Sequence, residues 1–285
     1  MANTLSTYSL RHKYFSTNLA FALKKSLVAE AICNVDRSEL KTIENPYVTE
    51  VTAAIQAVAG TYTPAARTVT DDALSVDDEV VVSTHVFDFE NRTANFDLTA
   101  NFLEDLMYQV GFKTDQFVLN KILDVATGTY TTPAGGFTTA ANIAVICSNL
   151  LSEVIGFASG IGSNPFLVIE NTDVVGFAQA QVSSGFAYAD AALNNGFMTN
   201  YMGIKIYVIR TGTFVTATLG TLTAANSGHR LFGLTKLAMF ASPRGVQYQE
   251  KMVTGKTGSE IVAYGYVGAK VWNFHLPLFV DITLA

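Results

Sequence analysis

The sequence predicts an α+β fold, on three observations. Two stretches near the middle of the chain repeat apolar residues at helical spacing. The last third reads almost wholly as strand. The 285 residues show neither a fixed repeat of roughly 20–50 residues nor a Pro/Ser-rich linker.

Residues 1–45 read as an arm of mixed polarity, with one short apolar-periodic piece in "LAFALKKSLVAEAI". Residues 45–90 have strand-like ends and a middle of Ala, Thr, Gly and Asp with few large side chains. Such a middle has little apolar surface to set against its ordering entropy, so a neighbouring molecule is expected to hold it. The first helix follows in "NFLEDLMYQVGFKTDQFVLNKILDVATG", where Leu103, Leu106, Met107, Val110, Phe117, Val118 and Ile122 share a face. Asn101 and Glu104 have capping-box spacing, and Gly128 can close the far end. Gly111 in its interior costs about 1 kcal/mol relative to Ala, so tertiary packing must carry the helix.

A second helix is read in "TAANIAVICSNLLSEVIG", with Ile143, Ile146, Cys147, Leu150, Leu151 and Val154 on one face. "PFLVIE" is a buried-type strand, and "NTDVVGFAQAQVS" a helix opened by Asn171 or Thr172. "GIKIYVIRTG" is a β-branched strand, "GTFVTATLGTLTAANSGH" a small-residue loop, and strands follow in "LFGLTKLAMFA", "VQYQEKMV", "IVAYGYVGAKVW" and "LPLFVDITL".

Composition narrows the function classes. The chain is 49% hydrophobic but only 15% charged, against about 25% in a typical soluble domain, which favours a surface covered by other subunits. No run approaches the ~18 apolar residues of a membrane helix, and the N-terminal stretch lacks the apolar core and cleavage site of a secretory signal. Cys33 and Cys147 form no framework, as expected in a reducing compartment. Residues 1–43 carry six basic groups against three acids, a net of +3, whereas residues 46–105 carry eleven acids against Arg67 and Arg92, a net of −9. A basic arm beside an acidic segment can encode contacts between copies.

No chemical motif is complete. Gly255-Lys256-Thr257 imitates a phosphate loop, but Glu250 stands where that loop needs its first glycine, and β-rich sequence flanks the triplet on both sides, so it reads as a hairpin turn. His12, His85, His229 and His275 lack second ligands at metal spacing. "GFASGIG" is no nucleophile elbow, "TDDALSVDDE" lacks the glycine and closing glutamate of a calcium loop, and "GIGSNP" is an incomplete dinucleotide fingerprint. No catalytic residue, cofactor or metal is therefore expected.

The order of elements resembles the major capsid proteins of tailed double-stranded DNA bacteriophages, the Hong Kong 97-type fold. The most specific passages are "NPFLVIENTDVVGFAQAQ", similar to the strand-then-helix of that family's axial domain, and "NGFMTNYMGIKIYVIRTG", similar to its Met-Gly-Ile passage into a strand. "HRLFGLTKLAMFASPRGVQYQEKMV" and "AYGYVGAKVWN" fit its late strands. The resemblance implies an N-terminal arm at 1–45 and an extended β-hairpin loop at 46–95. A peripheral domain with a long spine helix follows at 96–134, then an axial domain at 135–235. Peripheral strands and a hairpin occupy 236–268, and C-terminal strands at 269–285 return to the axial domain.

It implies, further, a non-enzymatic shell subunit that forms hexamers and pentamers around packaged DNA in the virion, after assembly in the bacterial cytoplasm with a portal. The DNA would meet the inner surface non-specifically, and no membrane is involved. Residues 46–95 contain no lysine, so the donor of the covalent link found in some members is missing, and the brief arm implies a separate scaffolding protein or none. Arg67, Asp71, Asp72, Asp77 and Asp78 are expected to face adjacent subunits, with Gly255, Lys256 and Thr257 at the tip of a hairpin that meets its copies. The rivals are an encapsulin shell, which shares the fold, and a β-rich secreted surface-binding protein, which would carry a signal peptide.

Overall fold

Apolar residues three and four apart make the stretch after residue 97 a helix, and this helix forms part of the two larger of the three hydrophobic clusters among the described residues. The computed structural model describes residues 27–48, 66–88, 98–183, 200–252 and 257–285, with Ala53, Ile55, Gly60 and Pro64. In chain order the first elements are α1 (Ala29–Ile32), β1 (Asn34–Asp36), β2 (Thr42–Glu44), β3 (Tyr47–Val48), β4 (Val69–Thr70), β5 (Ala73–Ser75) and β6 (Asp78–Val86). Then come α2 (Leu98–Val125), β7 (Gly128–Thr131), α3 (Ala140–Ile161), β8 (Pro165–Glu170), α4 (Val174–Ser183), β9 (Asn200–Tyr201) and β10 (Ile204–Ile209). The chain ends through β11 (Thr216–Leu219), β12 (Leu222–Ala225), β13 (His229–Leu234), β14 (Ala238–Ala241), β15 (Gln247–Met252), β16 (Ser259–Val271) and β17 (Val280–Thr283).

A six-stranded mixed sheet runs β7–β17–β13–β8–β10–β9. Its inner strands β8 and β13 are buried along nearly their whole length, which is why they read as continuous apolar runs rather than alternating ones. Phe166, Leu167, Phe232 and Phe279 meet Val118, Leu119 and Ile122 of α2 and Ile143, Ile146 and Leu150 of α3 in the main core. Each such side chain contributes about 1.5–3 kcal/mol on burial.

The second sheet is organised by the thirteen residues of β16. Ser259–Val267 pairs with β6 on one side, Ser259–Tyr264 with β15 on the other, and the far end, Gly268–Val271, with β14, which in turn pairs with β1. One face of this sheet packs on α2 through Leu106, Val110, Val86, Ile261 and Ala263.

Three local expectations are corrected. The helix begins at Leu98, so Asn101 and Glu104 lie within it rather than at its cap. Gly128 does not close the helix but opens β7, where a Cβ would come 3.0 Å from the carbonyl oxygen of Phe279. The small-residue loop after residue 213 contains the hairpin β11–β12, paired from Thr216↔Ala225 to Leu219↔Leu222. Gly220 turns it with a φ of 59°, a left-handed conformation that glycine adopts without strain. Among the described residues no helix is long and apolar enough to cross a membrane, and no group of three or more His, Cys, Asp or Glu is placed to hold a metal ion.

Candidate functional site

The acidic segment emerges from the body as a two-stranded ribbon. β2 pairs with β5 and β3 with β4, so residues 42–48 run against 69–75. Leu74 at the base of the ribbon is buried against the body, but apolar residues farther along it are left exposed by the described residues. Val48 is 51% exposed, Val69 64%, and Ile55 is fully exposed. A β-branched ribbon left in water is the arrangement expected of a segment that another molecule covers.

Where the ribbon joins the body, the structure divides the predicted contact residues. Arg67 and Asp71 are exposed. Asp72, expected to face a neighbour, is instead buried. It forms an ion pair with Lys270 and accepts the backbone N–H of Asn273 at 2.8 Å, while Lys270 also donates to the carbonyl of Ala73 at 2.7 Å. Asp78, likewise expected at an interface, is spent inside the chain: it accepts the N–H of Thr221 at 2.7 Å and that residue's hydroxyl at 2.6 Å. These bonds tie β6 to the turn of β11–β12, and a Cβ on Gly220 would collide with the same carboxylate. Asp77 is exposed, with Lys41 at 3.6 Å.

Of the triplet Gly255-Lys256-Thr257, the first two lie outside the described residues and Thr257 is exposed. The strands on either side are an antiparallel pair closed by Met252↔Ser259, the hairpin read from the sequence and not the strand-then-helix of a phosphate loop. β15 is the outer strand of its sheet and exposes Tyr248 at 59% and Met252 at 85%. Ribbon, hairpin and outer strand thus present apolar side chains to solvent.

The polar groups that sequence reasoning missed are internal. Arg230 lies in β13 with its Nε 2.5 Å from Asp173 and its Nη2 3.2 Å from Glu170, all three nearly or fully buried. Glu170 also accepts the N–H of Gly212 at 2.9 Å, and the N–H of Glu170 reaches Asp173 at 3.0 Å. A single arginine in the otherwise apolar run "HRLFGL" was the available signal, because a charge inside a buried strand requires a partner. Neither cysteine is poised as a nucleophile. Desolvation by burial drives the Cys33 thiol far above its ordinary range and pushes Cys147 up to about 12. Desolvation also lowers the pKa of the half-buried His275.

No family model matches the sequence, and no curated protein is detectably similar to it. Solved structures do match over essentially the whole chain. A chain of Mycobacterium phage Che8 aligns with a TM-score of 0.74 at 15% sequence identity, covering 95% of this chain and 96% of that one. The mature capsid of bacteriophage PhiM1 aligns with a TM-score of 0.71 at 12% identity, covering 100% of this chain and 95% of the other. The capsid of an empty GTA particle aligns with a TM-score of 0.70 at 15% identity over 100% of both chains. The α+β architecture is therefore the fold of these particles.

Proposed function

We propose that this chain, which has the fold of tailed-phage capsids, is a structural subunit that assembles with copies of itself into the icosahedral shell around a phage double-stranded DNA genome. The observation that carries the reading is the length of the likeness: capsid structures match this chain from end to end. The exposed ribbon supports it, since the described residues leave Val48, Ile55 and Val69 uncovered.

In this reading the long helix α2 and the sheet on β16 form the peripheral domain, the six-stranded sheet with α3 and α4 forms the axial domain, and residues 46–95 reach a neighbouring subunit. Arg67, Asp71 and Asp77 remain the charged contact candidates, together with Gly255, Lys256 and Thr257 at the hairpin. The shell would be the virion capsid, assembled in the host cytoplasm with a portal and, if one is needed, a separate scaffold.

The test is electron microscopy of the purified protein beside a variant in which residues 53–66 are replaced by a short Gly/Ser turn, which spares β4 and the Asp72 anchor. The parent is expected to form closed shells, and the variant to fold yet form none. Normal shells from the variant would refute the role of the ribbon, and a parent that stays monomeric under all conditions would refute the shell. Recovery of shells with an enzyme cargo in place of DNA would assign them to a nanocompartment.

A further inference from the structure

Two features of α2 make no sense for the helix alone. Gly111 weakens its interior, and Asp115 places a carboxylate where it is only 5% exposed. They are one helical turn apart and face the same segment, residues 27–33, where the arm enters the body. A Cβ on Gly111 would lie 2.8 Å from Cδ1 of Leu27, so the missing side chain is the seat for Leu27. Asp115 receives the next two residues: the N–H of Val28 lies 3.1 Å from Oδ1 and 3.0 Å from Oδ2, and the N–H of Ala29 lies 2.5 Å from Oδ1. The other end of this segment is held by Lys236, which occupies the left-handed region at φ 65°. Its backbone N–H reaches the carbonyl of Ile32 at 2.6 Å, and its ammonium donates to the carbonyls of Glu30 at 3.0 Å and Cys33 at 2.6 Å.

We propose that Gly111, Asp115 and Lys236 form a latch that fastens the root of the N-terminal arm to the long helix, and that the protonation of Asp115 sets how firmly the latch closes. The latch concerns the subunit by itself and does not rest on the shell reading. Its chemistry follows from what closing does to the carboxyl group. Closed, the group is desolvated, and this burial outweighs the backbone N–H bonds and raises its pKa from 3.8 to about 6, with Glu30 adding to the rise. Open, it stands in water on a helix surface and returns toward its ordinary value.

The closed form therefore binds the proton more tightly, so acid closes the latch, and the latch loosens as pH rises from about 4 through 6. Among the described residues, the charged and thiol groups near it are these. Glu30 comes from α1 and is itself paired with Arg37, Lys236 comes from the turn after β13, and the Cys33 thiol lies beside them. Lys113, on the same helix as Asp115, is turned to Gln116 at 2.8 Å.

Cys33 supplies the readout, because it is fully buried behind α1 and becomes accessible when the root lifts. The full-length subunit is labelled with 4,4′-dithiodipyridine between pH 5 and 7.5, and labelling at Cys33 and Cys147 is resolved by mass spectrometry. The ratio of the two removes the ordinary pH dependence of thiol chemistry. The ratio for the parent is expected to rise about tenfold across this interval. Asp115→Asn, which keeps the shape and cannot ionise, is expected to hold it constant. Lys236→Met, which loosens the other end, is expected to raise the ratio at every pH while keeping the parental slope. A flat profile in the parent, or an undiminished rise in Asp115→Asn, would overturn the proposal.

Discussion

Asp72 offers the sharpest test of how the ribbon is attached, because its neighbour Asp71 serves as a control of identical chemistry. Asp72→Asn preserves the shape of the side chain and removes its charge. In the native chain that charge is buried, paired with Lys270 and bonded to the N–H of Asn273. Breaking a fully buried ion pair costs roughly 3–5 kcal/mol when the remaining charge cannot be hydrated. Here the Lys270 side chain is 29% exposed, and it lines an open cleft of about 400 Å³, so water recovers part of the loss. What remains is the weakened bond to Asn273 and the lost attraction, about 2–3 kcal/mol together. Asp71→Asn, at an exposed position, is expected to cost less than about 0.5 kcal/mol. The sole tryptophan, Trp272, packs with Leu74 and Val76 beside this anchor, so its fluorescence during urea unfolding reports on the right place. If the two variants unfolded within about 0.5 kcal/mol of each other, the anchor would not hold the ribbon, and the burial of Asp72 would carry no energetic weight.

Two further outcomes are expected. Arg230→Gln strands Glu170 and Asp173 in the interior and should cost about 3–5 kcal/mol in the same urea assay, whereas an effect under about 1 kcal/mol would mean that the network is dispensable. The exposed acids act differently: Asp71→Lys with Asp77→Lys should leave stability unchanged but slow shell formation at low salt, since exposed pairs are worth only about 0–1 kcal/mol and are screened beyond roughly 10 Å at 0.1 M. Light scattering across a salt series checks this, and parental rates at every salt concentration would make the acidic segment no more than a solvated face.

The sequence revealed what depends on local period and missed what depends on a distant partner. The helices α2 and α3 were legible because Leu106, Val110, Val118 and Ile122, and likewise Ile143, Ile146 and Leu150, recur at a spacing set by the helix itself, and all are buried. The pairing of β15 with β16 was legible because partly alternating, β-rich sequence stands on both sides of a Gly/Thr/Ser cluster. Counting charge along the chain could not distinguish Asp71 from Asp72, since the difference is made by Lys270, nearly two hundred residues away. The β11–β12 hairpin was missed for a different reason. Its residues are small and polar, so the alternation of buried Leu222 and Ala224 with exposed Thr223 and Ala225 carries little signal.

The polar residues of α2 show what hydrophobic period alone leaves out of this fold. Asp115, Gln116 and Asn120 are all buried on a helix whose apolar stripe accounts for its packing. Each answers backbone groups that have no strand or helix partner. Asp115 takes the N–H groups of Val28 and Ala29. Gln116 donates to the carbonyl of Gly212 at 3.1 Å. Asn120 donates to the carbonyl of Thr213 at 2.8 Å and accepts the N–H of Val215 at 3.2 Å, with Asn226 bonded to it in turn. An unpaired buried backbone group costs about 1–3 kcal/mol, so irregular segments could not pack against an apolar helix at these points. Three polar side chains within two turns let the helix hold the arm root and the segment 212–226 together, although these lie almost two hundred residues apart in the chain. The helix is therefore a template for irregular backbone as well as a face of the core, and substitutions at Asp115, Gln116 or Asn120 should loosen those segments before they unfold the helix.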